Sequence, residues 1–309
     1  GVCFNNLTPT DACTFFAAED FSLLDINKKA AFVQYQVNVM EDRIQLTLGA
    51  RYDDHNIYGG TFNPRVGIVT KPYEKGIVKL MAGSAFREPN VFELTQNTSL
   101  APIEMDTFEL AYSHTEASFT NQITYFQNKA TGIFAEVPTT GGGSLFTNAG
   151  ERKVTGFENL FKYQRQEFNA TFSISWQDPD SEPVSVGASG TQVILDSLNI
   201  PKIKANLLFD YTFANNITVA LLNHYVDEVQ TQALDSAGNA MVQSIDSFWE
   251  SDLSISKRNI IVQSARLDLK LTVNNLFDKD IFHPQIRGSS PVQFKQNSRN
   301  FYLTATLRY

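Results

Sequence analysis

Apolar and polar residues alternate one by one along most of this chain, and the alternation persists to its last residues. In Phe301–Tyr309 one face reads Phe301, Leu303, Ala305, Leu307, Tyr309 and the other Tyr302, Thr304, Thr306, Arg308. Ala265, Leu267, Leu269, Leu271 and Val273 alternate with Arg266, Asp268, Lys270 and Thr272. From position 203, Ile203, Ala205, Leu207, Phe209, Tyr211 and Phe213 share one face, and only Leu208 breaks the polar face opposite. Phe168, Ala170, Phe172, Ile174 and Trp176 alternate with Asn169, Thr171, Ser173 and Ser175. A period of two is the signature of β-strands with one wet and one apolar face.

The pattern predicts thirteen strands, at Lys29–Met40, Arg43–Tyr52, Phe62–Thr70, Ile77–Phe86, Thr107–Ser113, Ser118–Ala135, Lys153–Tyr163, Phe168–Trp176, Ile203–Phe213, Ile217–Tyr225, Phe248–Ser256, Ala265–Asn274 and Asn300–Tyr309. No helix, linker or tandem repeat stands out. The connections alternate in length. Met40–Arg43, Pro72–Gly76, His114–Ala117, Gln164–Glu167, Ala214–Asn216 and Ser256–Ile261 are short. Asp53–Thr61, Arg87–Asp106, Glu136–Arg152, Gln177–Lys202, Asp227–Ser247 and Asn275–Arg299 are long. A soluble β-sandwich also alternates. Strands of about ten residues, aromatic residues at strand ends (Tyr52, Trp176, Phe213, Trp249, Tyr309) and the short and long rims favour a transmembrane antiparallel β-barrel instead.

Composition is consistent with that reading. The chain has 309 residues, 42% of them hydrophobic and 19% charged, and no apolar run long enough for a membrane-spanning helix. A barrel wall looks soluble by average hydropathy because every second residue faces water. The formal charge of -8 excludes a nucleic-acid-coating protein. Cys3 and Cys13 are the two cysteines. In an oxidising compartment their spacing reads as a short-loop disulfide, and in a reducing one as a weak metal half-site.

Strand parity adds an expectation. Single-chain bacterial barrels have an even number of strands. With thirteen, the final strand descending to the short-turn rim means that the first also descends, so residues 1–28 form an extracellular loop segment and residues 29–309 carry the wall. An open sheet leaves two unpaired edges in lipid, which bars such a chain from closing alone. A larger barrel is therefore expected, completed by another chain or by further residues of the same polypeptide.

Several segments resemble the C-terminal barrel of TonB-dependent outer-membrane receptors. Leu48–His55 followed by Thr61–Arg65 is similar to that family's paired mid-barrel strands. Ala85–Asn90 with Phe92-Glu93-Leu94 resembles its FRAP-type box, and Asn97–Glu104 its NPNL-type box. Asn148-Ala149-Gly150 with Gly156-Phe157-Glu158 is similar to a descending strand and the loop end before it. Val273–Lys279 resembles the end of the penultimate strand, and Tyr309 the terminal aromatic assembly signal of outer-membrane proteins. The resemblance implies the last thirteen strands of a 22-stranded barrel that closes around an N-terminal plug. It also implies an outer-membrane location in a Gram-negative bacterium, and partners in the bilayer, in the rest of the receptor and in TonB acting through the plug. The implied activity is uptake of a scarce nutrient, with a ferric siderophore as the default. Haem, cobalamin or another nutrient, or a passive barrel assembled from split chains, are the alternatives.

Candidate chemistry follows from position. Arg51, Arg65 and Arg87 lie near extracellular strand ends, where they can attract an anionic ferric chelate or else pair with wall and plug carboxylates. Phe86 and Phe92 can stack on a planar ligand or serve a girdle or loop core. The resemblance places a haem-binding histidine between the two boxes, where this chain has none; His55 and His283 remain as loop histidines. Asp53-Asp54 reads as a solvated acidic loop or as oxygen donors for Ca²⁺. No catalytic motif is present, so neither an enzyme nor an intrinsic metal or cofactor is expected.

Overall fold

A computed structural model of the chain describes residues 25–40, 43–138, 144–181, 183–185, 192–194, 200–234, 240–284 and 293–309. Cys3 and Cys13 lie outside these residues. Thirteen strands form one antiparallel sheet in strict sequence order: β1 Lys28–Val39, β2 Ile44–His55, β3 Gly59–Tyr73, β4 Gly76–Arg87, β5 Ile103–Thr115, β6 Phe119–Thr131, β7 Glu151–Gln164, β8 Phe168–Ser181, β9 Ile203–Thr212, β10 Ile217–Val226, β11 Phe248–Val262, β12 Ala265–Asn274 and β13 Asn300–Arg308. The sheet is not closed, and β1 and β13 are its edges.

Register turns the local alternation into two continuous surfaces. One row of paired residues runs Leu46, Ile68, Leu80, Leu110, Tyr125, Phe157, Trp176, Ile203 across eight strands, apolar at every step. On the opposite face a row runs Ser113, Gln122, Leu160, Ser173, Asn206, His224, Glu250. A one-residue slip at any strand would swap the faces, so the pattern holds the register. The apolar face is not covered by protein: Leu48, Phe62, Phe157, Trp249 and Leu303 are all exposed, Phe62 by 64%. Water disfavours so large an apolar surface, whereas a lipid bilayer accommodates it. This face is the outer one and the polar face the inner one.

Aromatic belts bound the outer face. Near the long-loop rim the rings of Phe108, Tyr125, Phe157 and Trp176 follow one another at 6.2, 5.1 and 6.2 Å, with Tyr225 and Trp249 at 4.7 Å further round. Near the short-turn rim, Tyr163, Phe168 and Phe209 form a second chain at 5.8 and 4.9 Å. Phe168 and Trp176 share β8, about 26 Å apart along the strand at ~3.3 Å per residue. Tilted by about 40°, that span covers roughly 20 Å of the membrane normal, comparable with an apolar band of about 25 Å. No helix among the described residues is long and apolar enough to cross a membrane.

Four details differ from the sequence reading. The expected long loop Asp53–Thr61 is mostly strand, because β2 and β3 continue to His55 and Gly59 and only residues 56–58 turn. Ser118–Ala135 is not one strand. It breaks at Gly132, whose φ of 69° suits glycine, and Phe134–Pro138 then pairs with Ser144–Asn148 as a separate hairpin. The turn expected at Ser256–Ile261 falls instead at residues 263–264, since β11 runs to Val262 through a bulge between Lys257 and Ile260. A helix, α1 Val91–Gln96, occupies the loop after β4.

Both tryptophans of the chain, Trp176 and Trp249, lie on the outer face towards the long-loop rim. In reconstituted bilayers their fluorescence should be quenched more by bromines near the headgroup end of the acyl chains than by bromines near the chain terminus. Quenching by aqueous iodide alone would contradict this placement.

Candidate functional site

The residues singled out from the sequence fall into three groups. Arg51 and Arg65 share the inner face, on β2 and β3. Arg65 stands directly between Gly49 and Gly83 of the neighbouring strands. A Cβ at position 49 would lie 2.8 Å from Arg65 Nε, so the glycine leaves a channel along which the guanidinium crosses β2. It reaches Gln34 of β1 and donates to Oε1. Arg51 instead binds Asp53 with two bonds, Nε to Oδ2 at 2.7 Å and Nη2 to Oδ1 at 2.6 Å. A bidentate pair of this kind neutralises the arginine. Among the described residues Arg65 has no carboxylate partner, so the inner wall keeps a positive charge there. A shallow cleft of about 440 Å³ beside it is lined by Phe32, Arg51, Asn63 and Arg65. Phe86 also borders this cleft, although its register opposite Glu104 places it on the outer-face row.

Arg87 and Phe92 belong to a folded loop unit above β4–β7. Asn90 caps α1: its Oδ1 accepts from Glu93 N at 2.9 Å, and its own N–H donates to Glu93 Oε2 at 2.7 Å. This reciprocal capping box fixes the Glu93 carboxylate. Arg87 then donates to both its oxygens, at 3.0 and 3.2 Å, and lays its guanidinium 4.6 Å over the Phe134 ring. Leu94 and Leu100 are the unit's buried core. Asn97 donates to Phe146 O at 2.8 Å. Asn148 accepts from Ala101 N and donates to Ala101 O and Gly132 O, each at 2.8 Å. Phe92 meets Phe146 edge-on at 6.1 Å, and the Phe92 ring stays half exposed. Arg87 is thus paired within this loop unit.

His55 is buried in the tight turn at the top of β2. Its Nδ1 accepts from Ile57 N at 3.1 Å and its ring stacks on Tyr58 at 4.0 Å. Burial, reinforced by the nearby Glu88 charge, pushes the Tyr58 phenol up to about 12, so it remains protonated at physiological pH. Glu88 in turn pairs with Lys28. Asp54, like Asp53, lies within β2, and among the described residues no three His, Cys, Asp or Glu side chains converge to hold a metal ion. His283 lies outside the wall sheet, in the short hairpin Phe282–Pro284 with Gln293–Lys295 between β12 and β13, 5.8 Å from Phe248.

Sequence reading missed the residues that hold these groups. The Asn90-x-x-Glu93 capping spacing was a visible signal. The Asn148 and Gln34 contacts carry no local signal, because their partners are distant in sequence. Replacing Asn148 by Ala removes three hydrogen bonds that tie three segments together, and should destabilise the loop unit by about 1–3 kcal/mol. Hydrogen exchange should then rise in residues 97–102 and 144–150 while the wall strands stay protected. Unchanged exchange in the loop would contradict this role.

Residues 4–276 match the family model described as TonB dependent receptor-like, beta-barrel. No curated protein sequence matches the chain significantly. Solved structures share the fold at low identity. The FrpB iron transporter from Neisseria meningitidis superposes with a TM-score of 0.74 at 17% identity, covering 91% of this chain and 45% of that one. The ferripyoverdine receptor of the outer membrane of Pseudomonas aeruginosa gives 0.73 at 17%, covering 91% and 38%. The siderophore receptor PirA from Acinetobacter baumannii gives 0.71 at 16%, covering 91% and 45%. The match therefore spans 38–45% of the length of these structures. A family match over most of the chain, together with a thirteen-stranded sheet that has one lipid-compatible face, makes this chain a member of the TonB-dependent receptor β-barrel family.

Proposed function

We propose that the chain forms the C-terminal part of the wall of an outer-membrane receptor that takes up a ferric siderophore in a Gram-negative bacterium. The family match over residues 4–276 carries this reading. The names of the structural neighbours, an iron transporter and siderophore receptors, favour iron chelates as the cargo. The uncompensated Arg65 on the inner wall suits a ligand of negative charge. In this reading the wall binds and guides the ligand and does no chemistry on it. Its partners are the bilayer outside, the plug and remaining strands within, and TonB through the plug. The two unpaired edges, β1 and β13, are where the remaining strands would join.

Removing the receptor from its host should abolish growth on at least one ferric siderophore under iron limitation. Uptake of that siderophore, labelled with radioactive iron, should also stop when TonB is removed. Arg65→Gln in the intact receptor should weaken binding of an anionic chelate by about tenfold, corresponding to ~1.4 kcal/mol. Uptake that persists without TonB would point to a passive barrel and overturn the proposal.

A further inference from the structure

A cavity of about 250 Å³ opens on the inner wall near the long-loop rim of β9–β11. It lies on the opposite half of the sheet from Arg65. Val229 and Ile245, both buried, wall it from the hairpin Val229–Leu234 with Ala240–Ile245. Phe248 lies between two imidazoles, His224 at 6.0 Å and His283 at 5.8 Å, so three rings in a row line one side. Lys204 adds one ammonium, and Asp227 and Asp246 add two carboxylates.

The hydrogen bonds behind His224 determine its tautomer. Asn206 Nδ2 donates to Ser173 Oγ at 3.3 Å, which orients the amide and leaves Asn206 Oδ1 as an acceptor. His224 Nδ1 sits 2.6 Å from that oxygen and must carry the proton. The neutral ring then holds its lone pair on Nε2, where no hydrogen bond forms among the described residues. His224 is therefore a pre-oriented acceptor in a cavity whose lining is aromatic and aliphatic apart from Lys204, Asp227 and Asp246. Its size suits a single substituted ring, smaller than the ~300–1,000 Å³ of whole-ligand pockets.

We propose that this cavity is a subsite for a flat aromatic ring carrying a hydroxyl group, the ring lying against the His224–Phe248–His283 row and the hydroxyl donating to His224 Nε2. The inference rests on the proposed uptake function and would give that receptor an aromatic arm of its ligand to recognise, apart from the charge at Arg65.

The test uses the complete receptor purified in detergent, with catechol and veratrole as probes. The two share a ring, but veratrole carries methoxy groups and cannot donate. Saturation-transfer NMR should show catechol binding about three- to tenfold more tightly than veratrole, the range one neutral hydrogen bond supplies. His224→Leu should remove that preference, and His224→Gln, which keeps an acceptor, should retain part of it. Phe248→Ala should weaken both probes. Heat-modifiable migration on gels checks that each variant barrel is folded. Equal binding of the two probes, no catechol binding, or a preference that survives His224→Leu would overturn the subsite. If siderophore uptake persists in that case, only the subsite fails; if uptake is absent as well, the uptake reading fails with it.

Discussion

A polypeptide in lipid has no water to satisfy its backbone, and this requirement governs the rest of the structure. Each unpaired N–H or C=O in hydrocarbon costs several kcal/mol, so strands can cross only as members of a continuous hydrogen-bonded ladder. Thirteen strands paired in sequence order meet this condition everywhere except along β1 and β13. The pleat then sends alternate side chains to opposite solvents. The outer face can be almost wholly apolar without a packed core behind it, and only nine hydrophobic residues are buried among those described. Only Ala111 and Val273 of these lie in the wall strands, and the other seven, Leu94, Leu100, Ala135, Ala149, Val229, Ile245 and Ile281, belong to the connections between them.

The segments that resemble family boxes take on a physical meaning in this setting. Those at Ala85–Leu94, Asn97–Glu104, Asn148–Gly150 and Val273–Lys279 are places where the chain leaves or rejoins the ladder and must satisfy its backbone by other means. Glu93 serves both a helix N-terminus and Arg87. Asn148 bridges three segments. Asn275, fully buried with φ near 50°, receives a bond from Lys279 N and donates to Lys279 O, both at 2.8 Å, while its own N–H donates to Asp252 Oδ1. Asparagine suits such positions because one short side chain donates and accepts and tolerates the left-handed region. These loop motifs report loop architecture, whereas Arg65 and His224, the residues proposed for ligand contact, lie on the wall strands β3 and β10.

All thirteen wall strands were legible in the sequence, because alternation is strongest where one face meets lipid. Their ends were less legible for the same reason. β5 begins at Ile103 rather than Thr107: Glu104 and Asp106 occupy outer-face positions beyond the aromatic belt, where a strand continues but the apolar signal stops. β2 and β3 likewise extend past Asp53 and Gly60 as a ladder above the belt. The six-residue helix α1 is too short to show a 3.6 period. For the candidate site, residue type and rough height were readable and pairing was not. Arg51, Arg65 and Arg87 look alike in sequence; register and loop folding tie two of them to carboxylates. The His224–Asn206 contact joins residues eighteen apart and exists only because β9 and β10 pair in one register.

The central claim is that one face of this sheet meets lipid and the other water. It is tested most directly by single cysteines placed along β12, from Arg266 to Val273, in the complete receptor with Cys3 and Cys13 replaced. Labelling by a membrane-impermeant thiol reagent in outer-membrane vesicles opened to both sides should alternate. Positions 266, 268, 270 and 272 should react, and 267, 269, 271 and 273 should be protected. Uniform reactivity, or the opposite phase, would contradict the assignment of the two faces.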